Sequence, residues 1–105
     1  MLDKQTTLYL YRGATSSIEF DFSEFEFKGG ICIFTISNIC KNTKLFQFDF
    51  DESKKYDIII PEEFTATLTD NQYIYNIMYI IGNERYPQCA DSDIIVRNVV
   101  NSYEQ

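Results

Sequence analysis

A chain of 105 residues, 45% hydrophobic and 16% aromatic, is large and apolar enough for one folded domain spanning residues 1–105, and too apolar for disorder. Its formal charge of −7, from 16 acids against 9 bases, repels nucleic-acid phosphates and anionic lipid, so nucleic acid and membrane are poor partners. Histidine is absent, which excludes histidine-based nucleophiles and histidine-ligated zinc, and tryptophan is absent too.

The start, MLDKQTTLYLY, lacks a basic region followed by an apolar core, so no signal peptide is expected. Within it, TTLYLYR (6–12) alternates Leu8 and Leu10 with Tyr9 and Tyr11, the period of a strand. After Gly13, SIEFDF (17–22) alternates Ile18, Phe20 and Phe22 with Glu19 and Asp21; EFEF (24–27) either continues this strand or forms a short edge. Alternating phenylalanine and acid is what a strand with one buried and one wet face requires, and carboxylates on the wet face discourage pairing with other chains.

Gly29-Gly30 predicts a turn into ICIFTIS (31–37), a well-buried central strand, and NICKNTK (38–44) reads as a polar turn. LFQFDF (45–50) sets Phe46, Phe48 and Phe50 on one face, and YDIII (56–60) is a strand stopped by Pro61. Proline followed by Glu62 and Glu63 suits the first turn of a short helix near residues 62–66. YIYNIMYII (73–81) is the most hydrophobic strand, about half the length a membrane span needs. Gly82-Asn83 turns it into ERYPQ, and DIIVRNVV (93–100) is the last strand.

Short strands with turn signals about every ten residues and almost no helix predict an all-β, immunoglobulin-like antiparallel sandwich of seven or eight strands. Tyr73, leaving a polar turn two residues before Tyr75, has the layout of a tyrosine corner, whose hydroxyl bonds back to upstream backbone. Tyr75 then takes the place of a core cysteine in antibody domains.

Cys32, Cys40 and Cys89 are odd in number with no CxxC spacing, so free thiols are expected, Cys32 as a small core residue. Asp49, Asp51 and Glu52, like Asp91 and Asp93, lack the pattern of a calcium loop and read as solvated acids. Paired carboxylates for glycoside chemistry need a cleft that a domain of this size has little room for. No catalytic residue and no cofactor is expected. Tyr9, Tyr11, Tyr75 and Tyr79 could form a sugar-binding platform, but strand packing explains their spacing first.

The segments LYLYRGATSSIEFDF, GGICIFTIS, IIIPEEFTATLTDNQYIYNIMYIIGNERYP and DIIVRNVV resemble a family of small immunoglobulin-like phage and prophage virion accessory proteins of Gram-positive bacteria. These are similar to domains of baseplate upper proteins. The matching residues are Arg12, Gly13 and Thr15, then Phe34-Thr35-Ile36, Pro61-Glu62-Glu63, Leu68, and Tyr73 with Tyr75; Ala14 departs from a common aspartate.

The resemblance implies a structural protein made in the host cytoplasm and carried in the virion. There it would act by docking, in many copies, to other virion proteins of the capsid surface, as a decoration protein, or of the tail or baseplate. A small acidic inhibitor of a host nucleic-acid enzyme, mimicking DNA, and a carbohydrate-binding adhesion module are the alternatives. Because charge is depleted at interface centres, the acidic side of residues 19–26 is expected to face outward. Docking is expected around Leu2, Tyr9 and Tyr11, the loop 38–44, or a YPQCA loop at Tyr86; Tyr73, Tyr75, Pro61 and Leu68 are expected to be structural.

Overall fold

The computed structural model describes residues 7–38, 43–69 and 72–98, in which seven strands and one helical turn form. The strands are β1 (Leu8–Arg12), β2 (Ser16–Asp21), β3 (Ile31–Asn38), β4 (Thr43–Phe50), β5 (Lys55–Ile60), β6 (Tyr73–Ile81) and β7 (Glu84–Asn98). The helical turn, α1 (Glu62–Thr65), lies between β5 and β6. One sheet has the order β1-β7-β6-β3-β4 and the other pairs β2 with β5. All pairs are antiparallel except β1 with β7.

This is an immunoglobulin-like sandwich: β3, β6 and β7 hold the C, F and G places, β2 and β5 the B and E places, and β4 lies outside β3. Where antibody domains use a disulfide packed on tryptophan, this chain uses rings. Phe20 on β2 packs on Phe34 of β3 with centroids 5.4 Å apart, and Phe34 packs on Tyr75 of β6 at 5.8 Å. Phe50 of β4 meets Tyr56 of β5 at 4.4 Å, closing the same core. Each fully buried ring contributes roughly 2–3 kcal/mol of apolar burial, so these contacts join the two sheets without a covalent link.

Tyrosine hydroxyls tie the connecting turns to the sheets. Tyr73 accepts a hydrogen bond from the Thr69 amide at 2.9 Å, four residues upstream, which is the geometry of a tyrosine corner. Tyr56 donates to the Glu52 carbonyl at 2.7 Å and accepts from the Glu52 amide at 3.0 Å. Tyr79 donates to the Gly29 carbonyl at 2.5 Å and accepts from the Lys28 amide at 3.0 Å. At that turn Gly30 has φ of 82° and lies so close to β6 that a Cβ would sit 2.3 Å from the Ile80 carbonyl oxygen, so only glycine fits. Pro61 precedes α1 and its carbonyl accepts from the Phe64 and Thr65 amides at 3.1 Å, while Leu68 is buried just beyond.

Two sequence expectations change. EFEF is neither a continuation of β2 nor an edge strand. The Asp21 carboxylate accepts from the Ser23 amide at 3.0 Å and the Ser23 hydroxyl at 2.6 Å, forming a turn that ends β2. These bonds also hold the Asp21 carboxyl below its ordinary pKa. Beyond the turn Phe25 and Phe27 fold onto Tyr79 at 5.1 and 5.8 Å and cap the end of the core.

The second change is that ERYPQ and the final strand are one element, so YPQCA is not a loop. Pro87 is tolerated in β7 because the register against β6 is irregular beside it, and β1 pairs only with Ile94–Asn98.

Candidate docking surface

β1 positions two of the tyrosines singled out in the sequence. Leu10 is buried, so Tyr9 and Tyr11 face outward, 47% and 43% exposed. The parallel register sets Tyr9 beside Ile95 and Tyr11 beside Arg97, and Ile95 is itself 39% exposed. The Arg97 guanidinium lies 4.9 Å from the Tyr9 ring centroid, a cation–π contact that orders the ring. Three large apolar side chains and a stacked arginine thus share the outer face at the β1 edge. Tyrosine and arginine are the residue types that dominate the energy of protein interfaces. The sequence does not single out Ile95, because a strand's outward residues announce themselves only once its neighbour is known.

Tyr86 stands elsewhere. It pairs with Tyr79, on the side of β7 that faces the two-stranded sheet, with ring centroids 6.4 Å apart. There it lines an open groove of about 620 Å³ with Glu24, Phe25, Glu26, Lys28 and Gln88. A hydrogen bond to the Glu84 side chain raises its pKa above the ordinary tyrosine value. The expected docking residues therefore fall into two separate places, Tyr9 with Tyr11 and Tyr86 alone. Leu2 and Cys40 lie outside the described residues, as does the middle of the loop expected over 38–44, whose ends Asn38, Thr43 and Lys44 belong to β3 and β4.

The acids of residues 19–26 all face water, Glu19 and Asp21 from β2 and Glu24 and Glu26 from the segment that follows. Across the two-stranded sheet Glu19 stands opposite Asp57, whereas Asp21 stands opposite Lys55, and the exposed Ile59 stands opposite Ser17. Ser17 donates to the Asp57 carboxylate. Lysine and isoleucine thus interrupt the row of carboxylates.

A tyrosine platform does not assemble. Tyr75 and Tyr79 are buried on the inner face of the sheet that carries Tyr9 and Tyr11 on its outer face. Asp49 accepts from Gln47 at 2.9 Å and Asp91 from Asn76 at 2.9 Å, as solvated acids do. Among the described residues no three acids or cysteines gather as metal ligands, and no helix is long and apolar enough to cross a membrane. Cys32 is a free, buried thiol that burial pushes up to about 12, and Cys89 is buried with its sulfur 3.6 Å from the Ser92 hydroxyl.

No family model and no curated protein matches this chain. Among solved structures it is similar to the extracellular domain of mouse leukocyte-associated immunoglobulin-like receptor 1, crystallised as a strand-swapped dimer. That likeness has 10% sequence identity and a TM-score of 0.47, and covers 97% of this chain and 92% of that one.

Proposed function

We propose that this chain is a non-catalytic docking domain of a phage particle, carried on the capsid surface as a decoration protein or in the tail or baseplate. The observation that carries the docking reading is the outward cluster of Tyr9, Tyr11 and Ile95 with Arg97 stacked on it. It is an apolar, aromatic patch on a molecule of net charge −7. Interface cores are depleted in charge and enriched in aromatics and arginine, with acids left to the rim. The acidic side of β2 and residues 24–26 then faces solvent and keeps particles dispersed. The particle context is inferred from the sequence resemblance alone.

The test is incorporation into particles. A Tyr9→Ser, Tyr11→Ser double variant should fold with nearly unchanged thermal stability yet fail to enter particles. Glu19→Lys with Glu24→Lys should enter at the wild-type level. Loss of incorporation in the charge variant alone would transfer docking to the acidic side.

A further inference from the structure

The outer face of the five-stranded sheet beyond the Tyr9 patch is unusually apolar for a wet face. An antiparallel sheet with one solvated face alternates apolar and polar residues, while continuous apolar runs belong to strands covered on both sides. β3 and β6 come close to such runs: Ile31 and Ile33 on one strand and Ile74, Met78 and Ile80 on the other face outward, all half-buried, with Thr35, Ser37 and Asn76 as the polar members of that face. Between them lies a shallow depression of about 280 Å³, with Lys44 at one side and Arg85 at another.

The charges around this apolar centre have an order. The register gives one cross-strand row as Lys44, Ser37, Ile74 and Asp93, running from β4 through β3 and β6 to β7. The next outward row runs Gln47, Thr35 and Asn76, with Asp91 bonded to Asn76. A third runs Asp49, Ile33, Met78 and Pro87, and the fourth ends in Ile31, Ile80 and Arg85. Lysine and aspartate thus occupy opposite ends of one row. Asp49 and Arg85 occupy opposite sides of adjacent rows, about 7 Å apart along the strand direction.

We infer that this face binds a second copy of the same chain, through a two-fold axis running along the strands between β3 and β6. Such an axis lays β7 of one copy over β4 of the other. Lys44 then meets Asp93 of the second copy, Gln47 meets Asp91, and Arg85 reaches toward Asp49, each contact occurring twice. The isoleucines and Met78 of the two copies pack at the centre. A partner of uniform charge, basic or acidic, would leave one member of each pair facing its own sign; a second copy satisfies both.

Four strands about 4.8 Å apart give a footprint at the small end of stable interfaces, so the dimer is reversible. β1 has no counterpart under this axis, so the Tyr9 patch stays free for another partner, and the two surfaces can be tested separately.

The experiment is sedimentation velocity on the full chain, from about 1 to about 500 µM, a range that brackets micromolar dimerisation. Wild type should pass reversibly from monomer to dimer. Lys44→Glu or Asp93→Lys alone should weaken the dimer by about tenfold or more, because each puts like charges together twice. The double variant Lys44→Glu, Asp93→Lys should restore it. Both residues are exposed, and thermal unfolding checks that each variant stays folded. A chain monomeric throughout, a dimer indifferent to the single reversals, or a double variant that fails to recover would each overturn the proposal. Because Tyr9 and Tyr11 are unchanged in these variants, particle docking is read independently.

Discussion

The Thr65 hydroxyl donates a 2.8 Å hydrogen bond to the carbonyl oxygen of Ala14, 51 residues away, and also lies 3.1 Å from the Glu62 carbonyl. Thr65 is fully buried, so this contact fastens the helical turn to the turn between β1 and β2. Replacing it with valine keeps the shape and removes the donor. Thr65→Val should lower unfolding free energy by about 1–2 kcal/mol, read from chemical denaturation, while Thr65→Ser should retain most of the stability.

Gly29 and Gly30 both adopt positive φ, yet they should respond differently to substitution. A Cβ at Gly29 meets nothing within 4 Å, whereas one at Gly30 would collide with the Ile80 carbonyl at 2.3 Å. Gly29→Ala should cost about 1 kcal/mol for its backbone conformation. Gly30→Ala should cost several times as much, because β3 and β6 must separate. Equal melting temperatures for the two variants would contradict this packing.

Glu19 opposite Asp57 is a like-charge cross-strand pair. Such pairs destabilise a sheet by a few tenths to about 1 kcal/mol. Glu19→Lys should therefore stabilise the domain by about 0.5 kcal/mol, with a larger gain at low salt than at high salt, measurable by urea denaturation at two ionic strengths.

Cys32 is fully buried, and its thiol pKa rises from 9.0 to about 12 on folding. Above pH 9 the unfolded thiol loses its proton while the folded one keeps it, so the folded state binds more protons. The contribution is complete below pH 9 and is lost as pH rises toward 12. Cys32→Ala should flatten the decline in stability over that window relative to wild type. Iodoacetamide should leave Cys32 unmodified in the native protein, because the thiolate and access are both lacking.

Much of the fold was legible because burial in a sandwich imposes a period of two, and LYLY, SIEFDF and LFQFDF carry it openly. The Tyr73 corner was legible for a similar reason, since it depends on residues only four apart. What stayed hidden depends on bonds that periodicity does not encode. The pattern of phenylalanine and acid continues through Phe27, but the Asp21–Ser23 turn stops the strand while burial goes on alternating. Pro87 made β7 look like a loop, because its tolerance depends on an irregular register and on where β1 stops. Tyr9 and Tyr11 lie outward because Leu10 between them is buried, which the alternation of LYLY encodes. Their separation from Tyr86 follows from the pairing of Tyr86 with Tyr79, a fact of register across the β6–β7 turn.

Docking in a phage particle is read from quantitative mass spectrometry of purified particles from the host that makes the chain. The wild-type chain should be present at a fixed copy number per particle, and the folded Tyr9→Ser, Tyr11→Ser variant should be nearly absent. A wild-type chain abundant in the cell lysate but absent from the particles would contradict it.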